Sequence, residues 1–174
     1  MSQHLHFDKK GIELANSTLD DAASLTRSYY NIDTKDWKEI KYDLKTLEDL
    51  KKDEITDNAF AQLSKYRGVS GKASQGFRFN FFRICLQDHK IMEAVKKRGD
   101  RTCLKPLLLY VMTHELIHIV RFNRLIKRFE GSSFEREIEE KNVHSDTYNI
   151  LRNTEIHGMN DILNHYRDFR FIEN

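Results

Sequence analysis

Apolar positions recur at helical spacing through much of the chain. Lys35 to Lys52 carries Trp37, Ile40, Leu44, Leu47 and Leu50 at intervals of three and four, and Thr18 to Tyr30 opens with a hydroxyl and acidic start, so both predict amphipathic helices. Asp53 to Tyr66 predicts a third. Arg67 to Gln75 (RGVSGKASQ) is polar, contains two glycines and predicts a loop. Phe77 to Leu86 (FRFNFFRICL) differs: Phe77, Phe79 and Phe81 alternate with Arg78 and Asn80, and the apolar set then shifts to Phe82, Ile84 and Leu86. That pattern predicts a strand with a bulge, a buried helix being the alternative. His89 to Arg98 predicts a short helix closed by GDRT.

Pro106 suits the first turn of a helix, where a missing N–H costs nothing, and Lys105 to Phe129 is apolar nearly all round from Leu107 to Val120. A central buried helix is expected there. Gly131 reads as its cap, and Ser132 with Glu135 makes a capping box that opens the next helix, about Ser133 to Arg152. So short a turn implies an antiparallel hairpin. One more short helix is expected around Asp161 to Phe169. The expected fold class is α+β, predominantly helical, with the central helix packed against a second long helix and a small β-sheet or hairpin.

The chain has 174 residues, 39% of them hydrophobic, which suits one domain over residues 1–174. Its longest uninterrupted apolar run, Leu107 to Met112, falls far short of the roughly 18 residues of a membrane helix, so no membrane association is expected. The start, MSQHLHFDKK, has no apolar core behind a basic flank and no glycine at position 2, so a cytoplasmic protein is expected. Cys85 and Cys103 match neither a CxxC pair nor a disulfide framework and read as reduced thiols. Lys and Arg total 29 against 27 Asp and Glu, a net charge of +2 with both signs interspersed, so nucleic acid is not an expected partner.

Within the central helix stands His114-Glu115-Leu116-Ile117-His118, an HExxH sequence. Residues four apart on a helix share a face, so both imidazoles can reach one metal ion, and zinc favours such nitrogen ligands while leaving a position for water. Glu115 can lie beside that water without being a ligand. From the histidine and glutamate content, roughly 0.03 chance occurrences are expected in a chain this long, and the apolar flanks LLLYVM and LIHIV make unpaired polar groups costly. These considerations favour a metal site over hydrogen-bonded core histidines.

The hairpin narrows the choice of third ligand. With Gly131 as the turn, His118 and His144 each lie 13 residues from it, and antiparallel partners equidistant from a turn are level. Glu140 falls about 6 Å off that level at 1.5 Å per residue. His144 is the expected third ligand and Glu140 the alternative.

With these residues the segment from about Lys105 to Leu151 resembles the zincin metallopeptidases, in which HExxH supplies two zinc ligands and the catalytic glutamate. Glu140 to Leu151 (EKNVHSDTYNIL) is similar to the second ligand-bearing helix of small bacterial gluzincin-like and ImmA/IrrE-like peptidases. There a ligand is followed two residues later by Asn or Asp and then by an aromatic, as His144, Asp146 and Tyr148 are here. Those families usually place Glu where His144 stands, and Leu116 and Ile117 replace the small residue and glycine usual before the second histidine. No HxxGxxH extension follows, which argues against a metzincin.

The resemblance implies a zincin-like fold, zinc as cofactor, a peptide or protein substrate and hydrolysis of an amide. Zinc lowers the pKa of its bound water, Glu115 takes the proton as general base, and the hydroxide attacks a zinc-polarised carbonyl. Glu115 then hands the proton to the departing amine. Tyr148, one turn beyond His144, is the first candidate for a donor to the oxyanion, with a core aromatic as its plainer reading; His157 and Tyr166 are further candidates. In zincins an edge strand binds the substrate, and Phe77 to Leu86 is the segment expected to do so.

Other features have plain explanations. His4 and His6 lie in a terminus expected to be disordered, Asp88 and His89 suit a helix start, and Glu135, Glu137, Glu139 and Glu140 match the macrodipole at the start of a helix. The polar loop at Arg67 to Gln75 could serve as a lid. A non-catalytic regulatory or structural metal-binding protein is the main alternative, and Glu115 argues against it, since a structural site needs no such carboxylate. A carboxylate-bridged di-iron bundle would need a second ExxH pair, which the sequence lacks.

Overall fold

The computed structural model describes residues 5–70, 77–99, 103–124 and 132–170. The first helix, α1 (Lys9–Tyr29), starts at Asp8, whose carboxylate accepts the Gly11 N–H at 2.8 Å. Thr18 therefore lies inside the helix, its hydroxyl donating to the Leu14 carbonyl at 2.7 Å instead of capping a start. The helix expected over Lys35 to Lys52 is only α2 (Thr34–Glu39), followed by a strand, β1 (Lys41–Lys45). The helix expected over Asp53 to Tyr66 is a 3-10 turn at Lys52–Glu54 and a second strand, β2 (Ala61–Ser70). Residues 67–70 of the expected loop thus belong to a strand, and residues 71–76 lie outside the described residues.

The strand expected over Phe77 to Leu86 is β3 (Phe77–Leu86), and it is the middle of a sheet ordered β1-β3-β2. It pairs parallel with β1 (Leu44 beside Ile84) and antiparallel with β2 (Leu63 beside Ile84). Its register against β2 runs from Ala61↔Leu86 to Ser70↔Phe77 without an inserted residue, so there is no bulge. Phe82, Ile84 and Leu86 are fully buried on the helix side. The opposite face carries Phe79, Phe81 and Arg83, the last paired with Asp43 of β1 at 2.9 Å and Glu54 at 3.4 Å. Being central, β3 has no free edge, and the substrate-strand role expected of it is not available there.

After β3 come α3 (Asp88–Arg98), α4 (Leu104–Asn123), α5 (Ser133–Leu151), α6 (Met159–His165) and a 3-10 turn at Arg167–Arg170. Gln87 rather than Asp88 occupies the N-cap of α3. The Asp88 carboxylate instead accepts the N–H groups of Phe7 at 3.0 Å and Leu47 at 3.1 Å, tying the start of the chain to this helix. The capping box at Ser132 and Glu135 forms in both directions. Gly131 lies outside the described residues.

The core is built around α4, which contacts α1, α3, α5, α6, β2 and β3. From Pro106 to Val120 every residue of α4 is buried except His114. Among the described residues no helix is long and apolar enough to cross a membrane.

Candidate metal centre

The one break in the burial of α4 opens on a cleft between that helix, the approach to β2 and α5. His114 and His118, one turn apart, present Nε2 atoms 3.2 Å from each other. Glu140 of α5 reaches both, its carboxylate oxygens 3.3 Å from His114 Nε2 and 3.1 Å from His118 Nε2. One ligand-type atom from each of the three residues lies within 4.8 Å of the other two. Glu115 lines the same cleft beside His114.

The structure thus gathers His114, His118 and Glu140 and leaves His144 beside them. The His144 ring lies 4.5 Å from that of His114, but its Nδ1 is engaged by the Tyr110 hydroxyl at 2.6 Å. The reason lies in the hairpin. The helices end at Asn123 and begin at Ser133, so positions across it are level about residue 128 rather than about Gly131. Glu140 then faces the gap between His114 and His118, and His144 lies a turn beyond, opposite Tyr110.

The same shift removes Tyr148 from the cleft. Successive steps of four residues rotate a side chain by about 40°, so Tyr148, two steps past Glu140, is turned roughly 80° away from it. Its ring packs on the core, with the Arg170 guanidinium 3.9 Å above it. His157 does not line the cleft either, whereas Tyr166 does. The phenol missed by sequence reasoning is Tyr110, stacked on Tyr166 at 4.5 Å between ring centroids. Its signal was present: it stands one turn before His114 on the same helix face. A cavity of about 310 Å³ is walled by Phe60, Tyr110, His144, Tyr166 and Phe169 and floored by His114 and Glu115.

Electrostatics follow from this packing. Burial lowers the His118 pKa, but the Glu140 hydrogen bond and the charge of Glu115 outweigh it, so the imidazole titrates above its ordinary value. Loss of water raises the Glu140 pKa, and the hydrogen bonds of His114 and His118 overcome that and hold its carboxyl far below the usual range. Burial and the neighbouring His114 push His144 down to about 3, so it is neutral at pH 7. Burial pushes Tyr166 up to about 12, and raises Tyr110 as well, so both remain phenols. The Nδ1 atoms of His114 and His118 are buried without a hydrogen-bond partner among the described residues, as are the hydroxyls of Thr26 and Thr113.

A polar clamp holds α5 against α4. Arg121 donates to both oxygens of the buried Glu139 at 2.7 and 3.0 Å, and its guanidinium lies 3.7 Å from Asp146. Asp146 also accepts the hydroxyls of Tyr29 at 3.0 Å and Tyr30 at 2.7 Å. These contacts set the rotation of α5 that aims Glu140 at the histidines. Comparison of the chain with protein-family models, with curated proteins and with solved structures found no match in any of the three.

Proposed function

We propose that the chain is a zinc-dependent peptidase or amide hydrolase of zincin type, with His114, His118 and Glu140 as the ligands. The carrying observation is the convergence of two imidazoles and a carboxylate from two packed helices, with a further carboxylate, Glu115, on the same cleft. Two nitrogens and one oxygen suit zinc, and three protein ligands leave a position open for chemistry. Zinc held there supplies Lewis acidity, polarising a substrate carbonyl and making water acidic enough to lose a proton near neutral pH.

The remaining work falls to the chain. The Glu115 carboxylate takes the proton from the attacking water and returns it to the leaving nitrogen. The Tyr166 hydroxyl, kept protonated, is a donor for the negative charge that develops on the carbonyl oxygen. The neutral His144 ring, hydrogen-bonded to the Tyr110 hydroxyl through Nδ1, stands beside the same groups. Phe60, Phe169 and the stacked tyrosines wall the cleft beside these groups. The peptide substrate lies along the cleft beside residues 58–63, which replaces the role expected of β3.

The test is a peptide-library cleavage assay on zinc-loaded wild type and Glu115→Gln. Cleavage by wild type that drops at least about a hundredfold in Glu115→Gln, with zinc retained, is the expected result. Equal cleavage by the two chains overturns the reading.

A further inference from the structure

The cleft does not end at the metal ligands. On its far side, beyond the edge-to-face pair of Phe60 and Tyr166 (6.5 Å between centroids), lies a second cavity of about 490 Å³. Phe60 and Tyr166 form a wall of both cavities, so the two adjoin. Leu107 of α4 lies at the floor of the second, seven residues before His114. At 1.5 Å per residue the two floors are about 10 Å apart along α4.

This second cavity is cationic. Lys90, Lys97 and Arg98 of α3 and His165 of α6 line it, against one carboxylate, Glu93, already paired with Lys90 at 2.9 Å. Among the described residues neither Lys97 nor Arg98 has a carboxylate at ion-pair distance, though the charge of Glu93, one turn before Lys97, is felt by Lys97 as well as by Lys90. Cations at the end of α3 also complement its macrodipole, as Lys96 does without lining the cavity. That effect does not explain why two of them converge with His165, from a different helix, on a pocket that adjoins the candidate catalytic cleft.

We propose that this cavity is an anion subsite that selects peptides bearing a carboxylate about three residues from the bond cleaved. The inference rests on the hydrolase reading and adds a substrate class to it. An extended chain advances about 3.3 Å per residue, so three residues match the roughly 10 Å between the two floors along α4. The carboxylate is either an Asp or Glu side chain or the C-terminal carboxylate of a short peptide. Both suit the guanidinium of Arg98 and the ammonium of Lys97.

The experiment measures binding as well as turnover. Capped peptides with Glu or Gln at one to four residues from the scissile bond, and the Gln peptides with free or amidated C-termini, are titrated calorimetrically into zinc-loaded Glu115→Gln. The same peptides are assayed for cleavage by wild type. Preferences are compared with those of the Lys97→Gln/Arg98→Gln and Lys96→Gln chains. The expected result is about tenfold tighter binding of one acidic set at the three-residue spacing, weakened at high salt. That preference collapses towards one in Lys97→Gln/Arg98→Gln and persists in Lys96→Gln. Preference for Glu identifies a side-chain subsite, and preference for the free terminus a carboxypeptidase-like one. Cleavage without any acidic preference overturns the subsite and leaves the hydrolase standing. Acidic preference in binding without cleavage by wild type keeps the subsite and overturns the hydrolase.

Discussion

Replacing Arg121 by methionine strands the Glu139 carboxylate in the interface between α4 and α5. Glu139 is 4% exposed and takes two charge-assisted hydrogen bonds from Arg121. Removing one partner of a buried pair costs about 3 to 5 kcal/mol, because the other charge stays buried without compensation. The Arg121 side chain retains 15% exposure, so water reaches part of the pair and the expected cost falls to about 2 to 4 kcal/mol. Asp146 keeps its two tyrosine hydroxyls and adds little. In a chain of this size that is a drop of roughly 5 to 15 °C in Tm. Arg121→Met/Glu139→Leu removes the stranded charge and recovers at least about 2 kcal/mol of the loss. Urea titration of wild type, the two single variants and the double variant closes the cycle. A cost below about 1 kcal/mol for Arg121→Met, or a double variant no more stable than the single, refutes the claim that this clamp orders the interface. The proposed zinc site predicts a weaker metal affinity in Arg121→Met too, since Glu140 follows Glu139 on the same helix.

Further outcomes are specific to single positions. Gly158 has φ +83°, and an added Cβ there comes within 3.4 Å of the Pro106 ring, so Gly158→Ala costs about 1 kcal/mol or more by urea titration. Gly158→Asn, better tolerated in that backbone region, costs less. The Glu54 carboxyl accepts the Lys51 N–H at 2.9 Å and the Tyr66 hydroxyl at 2.7 Å, with Arg83 nearby, and titrates below its ordinary value near 4.5. Its contribution is therefore complete above that value and lost as pH falls through the lower folded value. Urea midpoints between pH 3 and 7 should show a shallower acid loss in Glu54→Gln. Burial pushes the Cys85 thiol up to about 11, so alkylation at pH 8, followed by mass spectrometry, should leave Cys85 unmodified until the chain unfolds.

What the sequence disclosed of the fold was whatever depends on neighbours along the chain. The Ser132 and Glu135 capping box, the apolar run behind Pro106 and the alternation at Phe77 to Phe81 each act locally, and each element formed where those signals stand. β1 and β2 did not announce themselves. Tyr42 and Leu44 show period two for too short a stretch to compete with the helical spacing around Trp37 and Leu47. They become a strand because Phe82 and Ile84 of β3, 40 residues on, offer backbone partners. The same holds for Ala61 and Leu63, whose strand character comes from pairing with Leu86 and Ile84.

The site divides in the same way. His114, Glu115 and His118 lie on one helix, and the common face of the two histidines follows from spacing alone. Glu140 depends on how far the partner helix is offset, which is set by where α4 stops at Asn123 and by the clamp of Arg121 on Glu139 and Asp146. Neither is visible in a count of residues from Gly131. The displacement moved His144 to Tyr110 and Tyr148 out of the cleft together, as expected when one helix shifts as a unit.

The most direct measurement is zinc per chain by elemental analysis, after zinc loading and gel filtration, on wild type, Glu140→Ala and His144→Ala. A site built from His114, His118 and Glu140 predicts one zinc in wild type and in His144→Ala and its loss in Glu140→Ala. Zinc retained by Glu140→Ala and lost by His144→Ala, or no zinc in wild type, contradicts it.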